Sequence, residues 1–71
     1  MPCTTESGQD YRVELSQEGL TVKVGGVAVA VKVTPTSSGY MYEIDGAGMN
    51  PAGAKIEFFD GGDLIFECDI V

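Results

Sequence analysis

Apolar and polar side chains alternate along six stretches of this chain, and short glycine-rich connections separate several of them. A period of two is the signature of a strand with one buried and one wet face. Tyr11, Val13 and Leu15 form the first apolar set, and Leu20, Val22 and Val24 the second. Val27, Val29, Val31 and Val33 follow, then Tyr40, Tyr42 and Ile44. Ile56 and Phe58 make a fifth set, and Leu64, Phe66, Cys68 and Ile70 a sixth. The pattern predicts an all-β fold.

The connections carry turn chemistry. Gly25-Gly26 suits a two-residue hairpin, where positive φ is needed. Pairing Val24 with Val27 then sets Val22 opposite Val29 and Leu20 opposite Val31, which keeps both apolar faces in agreement. A two-residue turn at Gly61-Gly62 would mix the faces. A three-residue loop over Asp60, Gly61 and Gly62 is therefore expected, pairing Phe58 with Leu64, Ile56 with Phe66 and Lys55 with Glu67. Residues 16–19 make a short turn, and 34–39 a longer one that sets Val31 against Tyr42. Residues 46–53 make a loop of small side chains. The expected architecture is a six-stranded antiparallel up-and-down meander, closed into a small barrel or left as a strongly curved sheet. Asn50-Pro51 and Gly61 also suit a helix start and stop, so a short helix over 51–59 is the main alternative.

With 71 residues and no composition break, the sequence predicts one small β domain over 11–71 behind a flexible acidic tail over 1–10. A core of this size is marginal and gains from a staple or a partner. Cys68 falls on an inward strand position and reads as a small core residue, Cys3 as an exposed thiol; a Cys3–Cys68 disulfide is the alternative. No cofactor or metal is expected, since two thiols and no histidine cannot complete a zinc site. The first ten residues have neither a basic nor an apolar leader-like run, which points to the cytoplasm.

Net charge is −7, so the chain should repel nucleic acid and anionic membrane and attract basic protein surfaces. The charge is uneven. Residues 1–39 hold four acids and three bases, a balance of −1, whereas residues 40–71 hold seven acids and Lys55 alone, a balance of −6. The seven are Glu43, Asp45, Glu57, Asp60, Asp63, Glu67 and Asp69. In the expected meander, Lys55 stands between Glu43 and Glu67 on the polar face. Met41, Phe59 and Ile65 share that face, rimmed by Glu57, Glu43, Asp60 and Asp63. An apolar centre inside a charged rim is the anatomy of a protein-binding patch. Coverage by the tail or by the 46–53 loop is the alternative.

Catalytic chemistry is thinly supplied. Without histidine there is no Ser-His or Cys-His pair, and carboxylates on a flat wet face lack the burial that tunes a general acid. Asp60-Gly-Gly-Asp63 offers two carboxylates where calcium needs six to eight oxygens, so it reads as a turn flanked by acids. The 46–53 loop lacks the Lys-Ser/Thr ending of a phosphate-cradling loop. Tyr11, Tyr40 and Tyr42 point inward and read as core. The chain is therefore expected to bind rather than to catalyse.

Carboxylates two residues apart on a strand lie about 6.8 Å apart, and adjacent strands repeat at about 4.8 Å. These spacings are comparable with the phosphates of a nucleic-acid strand, about 3.4 Å apart along its axis. In character, though not in any motif, the chain resembles the small anti-restriction and anti-CRISPR proteins. That resemblance implies a phage-type decoy that blocks a basic, nucleic-acid-binding host protein through the seven acids, with Met41, Phe59 and Ile65 as anchors. The alternative is a small structural subunit acting as a homo-oligomer.

Overall fold

The computed structural model describes residues 3–45 and 51–71. Among them, eight strands form two sheets and no helix occurs. The strands are β1 (Cys3–Thr5), β2 (Tyr11–Leu15), β3 (Thr21–Val24), β4 (Val27–Ala28), β5 (Lys32–Pro35), β6 (Tyr40–Ile44), β7 (Lys55–Asp60) and β8 (Asp63–Ile70). One sheet has the order β1-β8-β7-β3-β4 and the other β2-β6-β5. The all-β expectation holds; the six-stranded meander and the closed barrel do not.

The difference has a simple origin. Alternation states which side chains face inward, and it is the same whether the inner face looks across a barrel or across a sandwich. Neighbourhood is decided by the connections. After β2 the chain does not turn back beside itself but crosses to the other sheet, so β2 pairs with β6 and β3 with β7. The expected third strand likewise divides: its first residues pair with β3 as β4, and after 29–31 it joins the other sheet as β5. The loop after β5 is tighter than expected, setting Val33 rather than Val31 against Tyr42. Residues 55–60 are the strand β7, which excludes the helix over 51–59 across most of its length. Much of the 46–53 loop lies outside the described residues.

Both glycine pairs make two-residue turns with positive φ at each position. Gly25-Gly26 joins Val24 to Val27 as expected, and the Val29 amide donates to the Val22 carbonyl at 3.0 Å. At Gly61-Gly62 the expected three-residue loop is absent: Asp60 pairs directly with Asp63. The conflict between faces is removed by a β-bulge instead. Phe59 pairs with Leu64 and Phe58 with Phe66, leaving Ile65 as the extra residue. Beyond it Ile56 faces Cys68 and Lys55 faces Asp69.

The core lies between the sheets. Tyr11, Tyr42 and Ile44 come from one, and Val22, Val24, Ile56, Phe58, Cys68 and Ile70 from the other, with Leu20 on the crossing between. Tyr42 meets Phe58 edge to face, with centroids 5.6 Å apart, and Phe66 lies 5.7 Å from Phe58. Tyr42 is fully buried, yet its hydroxyl is satisfied. It donates to the Gln17 carbonyl at 2.6 Å and accepts from the Leu20 amide at 3.4 Å. Both partners lie on the segment that carries the chain from β2 to β3.

Cys3 and Cys68 form a disulfide, with Cα atoms 4.7 Å apart. The expectation of an exposed thiol at Cys3 is therefore corrected, while Cys68 is a core residue as expected. Within the tail expected to be flexible, Cys3–Thr5 forms a strand parallel to the end of β8. A bridge across 65 residues restricts the unfolded chain by about 4 kcal/mol on the loop-entropy account.

Replacing Tyr42 by Phe removes the partner of the buried Leu20 amide and of the Gln17 carbonyl. The expected cost is about 1–3 kcal/mol in urea unfolding. A loss below about 0.5 kcal/mol would mean that the crossing holds its shape without the hydroxyl.

Candidate functional site

The two outer faces of the sandwich treat their charges differently. On the β2-β6-β5 sheet, Glu43 stands in register between Arg12 and Lys32, and Arg12 Nε lies 3.5 Å from its carboxylate. Glu14 is engaged as well, accepting from the hydroxyls of Thr36 and Ser38, the latter at 3.1 Å. It thereby fixes the loop between β5 and β6. Gly39 in that loop packs so closely on the Leu15 carbonyl that a Cβ would collide with it. The acids of this face serve the fold.

The β7–β8 hairpin is built otherwise. Glu57 stands in register between Glu67 and Lys23, and Asp60 pairs directly with Asp63. Like charges opposite each other across strands oppose sheet formation. Glu57, Glu67, Phe59 and Leu64 lie on the outer face with the bulged Ile65 beside them, whereas Asp60 is in phase with buried Ile56 and Phe58 and meets Asp63 at the turn. Leu64 and Ile65 are 46% and 43% exposed, and Phe59 is half-buried under the Lys23 ammonium, 5.1 Å from its ring centroid. At the open end, Lys55 Nζ lies 2.8 Å from Asp69 and 3.8 Å from Glu67. At the tip, Asp60 accepts a hydrogen bond from the Gln17 side chain at 3.0 Å.

The site residues expected from sequence thus divide. Glu57, Asp60, Asp63, Glu67, Asp69, Phe59 and Ile65 come together on one hairpin. Met41, Glu43 and Asp45 belong to β6 and its end, in the other sheet. Met41 projects from that sheet's outer face, between Glu14 and Thr34 in register, so the expected Met41–Phe59–Ile65 patch does not form. The meander had put β6 beside β7; the sandwich separates them. Leu64 was missed, because the three-residue loop turned it inward. The preference of Gly-Gly for two-residue turns was a signal for the other register, but a bulge leaves no mark in a sequence.

Among the described residues there is no enclosed pocket, and no group of three or more His, Cys, Asp or Glu side chains converges as metal ligands do. Asp60 and Asp63 flank a tight turn. No helix there is long and apolar enough to cross a membrane. The chain matches no protein-family model, no curated protein and no solved structure.

Two groups titrate away from their usual values. Burial pushes the Tyr11 phenol up; its hydroxyl lies 2.7 Å from Cys68 Sγ, which accepts from it. Lys55 is raised by its hydrogen bond to Asp69 and then by the charges of Asp69, Glu67 and Glu57, against a small opposing effect of burial. Both shifts have the same sign for stability. A group whose folded pKa is raised contributes fully below its unfolded value, and the contribution is lost as pH rises through the folded value. Stability should therefore fall above about pH 10, the unfolded value of tyrosine. Urea unfolding followed into this range should show a shallower fall for Tyr11→Phe. Superimposable alkaline limbs for the two proteins would contradict the role assigned to the phenol.

Proposed function

We propose that this chain is a non-enzymatic binding protein whose β7–β8 hairpin engages a basic surface of another protein. The observation that carries the reading is the directly opposed Glu57–Glu67 pair on the outer face of the hairpin, beside exposed Leu64 and Ile65 and with Asp60 and Asp63 at its tip. Such pairing works against the sheet, and a basic partner would relieve it. The apolar side chains supply contact area that charge alone lacks. A decoy that occupies the nucleic-acid-binding face of a host defence protein, as phages use, is the sharpest form of this reading. Net charge of −7 and carboxylates spaced at strand distances support it. The Cys3–Cys68 bridge weighs against a cytoplasmic setting, where thiols are kept reduced.

The test is a tagged pull-down from bacterial lysate at low and high salt, with competing DNA. A basic nucleic-acid-binding protein should be captured at low salt and released by salt or DNA. The Glu57→Lys/Glu67→Lys double variant should lose at least about ten-fold in affinity for it while remaining folded. Lys55→Gln should bind more tightly, because Lys55 competes with the partner for Asp69 and Glu67. Undiminished binding by the double variant would sink the proposal.

A homo-oligomer is the second reading, favoured by the exposure of Leu64 and Ile65. In that case the captured protein is the chain itself, the association is insensitive to salt, and Ile65→Asp dissociates it in sedimentation.

A further inference from the structure

We infer that β1 is a thiol-responsive strap: reduction of the Cys3–Cys68 disulfide undocks residues 3–7 and uncovers the adjoining edge of β8, while both sheets otherwise persist. β1 borders the hairpin proposed above, with Thr4 in register with Asp69, but the inference does not depend on that reading.

β1 is held differently from every other strand. Its pairing with β8 covers three residues, Cys3 to Cys68, Thr4 to Asp69 and Thr5 to Ile70. Just beyond, the Val71 amide donates to the Thr5 carbonyl at 2.8 Å and the Ser7 amide to the Val71 carbonyl at 3.0 Å. Of the three strand residues Cys3 alone is apolar and packs against the core; Thr4 is exposed and Thr5 half-buried. The segment therefore has little apolar burial to offset the ordering of its backbone. Beside those backbone hydrogen bonds, the covalent bond ties β1 to the core. The elements inside have pairings of their own: β7 lies along β8 for six residue pairs and along β3 for four, and the β2–β6–β5 sheet has no pairing with β1, meeting the bridge through the Tyr11 hydroxyl, 2.7 Å from Cys68 Sγ and 3.2 Å from Cys3 Sγ.

The two sulfurs also differ in access. Cys68 is 1% exposed, whereas Cys3 is only partly buried. A dithiol therefore attacks Cys3 Sγ. The S–S bond breaks, Cys68 leaves as thiolate and takes a proton, and a mixed disulfide forms on Cys3. The second thiol of the reagent attacks that mixed disulfide and frees Cys3 as a thiol. The reagent departs as a cyclic disulfide, having delivered two electrons and two protons. Cys68 stays in the core as a small apolar residue. Cys3 is free to leave with its strand.

Amide hydrogen exchange on the full chain, oxidised and then reduced with dithiothreitol, tests this. In the reduced protein the Ser7 and Val71 amides should exchange within about ten-fold of free-peptide rates. The ladder amides of β6 and β7 should stay at least about a hundred-fold protected. Cys3→Ser should reproduce that pattern without reductant. Ser7 and Val71 still protected as strongly as β6 and β7 would overturn the strap, since β1 then docks without the bond. Collapse of all protection together, in reduced protein and variant alike, would also overturn it by making the bridge a staple of the entire fold.

Discussion

The hydroxyl of Tyr42 lies where the two sheets are joined, and the architecture turns on what it holds. A chain leaving β2 could fold back beside it or cross to the facing sheet. The crossing runs through exposed residues 16–19 and enters the core at Leu20, where the backbone amide is shielded from water. Tyr42 answers this from below, accepting the Leu20 amide and donating to the Gln17 carbonyl. Its ring meanwhile packs edge to face on Phe58 of the opposite sheet. One side chain thus ties the crossing, the middle strand of the smaller sheet and the aromatic centre of the larger one. A buried phenol is affordable here because it has both a donor and an acceptor within reach.

From that crossing follows the separation of charge. Once β2 and β6 are neighbours, Arg12 faces Glu43 and Glu14 reaches the loop between β5 and β6. The smaller sheet therefore pairs Glu43 with Arg12 and engages Glu14 in hydrogen bonds of its own. β7 and β8 are left together in the other sheet with five acids, and Lys55 is the one base between them. Had β6 lain beside β7, Lys55 would have stood between Glu43 and Glu67. Instead it reaches Asp69 and Glu67 from the end of the hairpin, Lys23 faces Glu57 from β3, and Asp60 is left opposite Asp63 at the tip.

The parts of the fold legible in the sequence are those governed by local chemistry. Inward positions such as Val22, Tyr42, Ile56 and Cys68 follow from alternation alone, and the Gly25-Gly26 turn from the need for positive φ. Strand adjacency was not legible, because a barrel and a sandwich impose the same period of two on each strand. The bulge at Ile65 was hidden for a related reason. A register slip of one residue can be absorbed by one extra residue, so the demand for consistent faces does not select a loop length. The site inherited both errors: Met41 was assigned to a neighbourhood that does not exist, and Leu64 was assigned to the core. The Cys3–Cys68 bridge depended on β1 lying beside β8, a parallel contact between distant segments that periodicity does not encode.

A small sandwich that sets glutamate against glutamate and aspartate against aspartate must hold its hairpin by other means. The inner face supplies part of the answer, since Ile56, Phe58 and Cys68 are buried directly beneath the acid-bearing strands. The register adds the rest. Lys55 grips Asp69 and Glu67 at one end, and Gln17 holds Asp60 at the other. The contact at Asp60 leads back to Tyr42, whose hydroxyl fixes the backbone of the same Gln17. The repulsive pairs are therefore clamped at both ends by groups anchored in the core or across the sheet. The hairpin is thereby ordered at both ends, so under the proposed reading a basic surface would meet carboxylates already set in register and would have to displace Lys55 from Asp69 and Glu67.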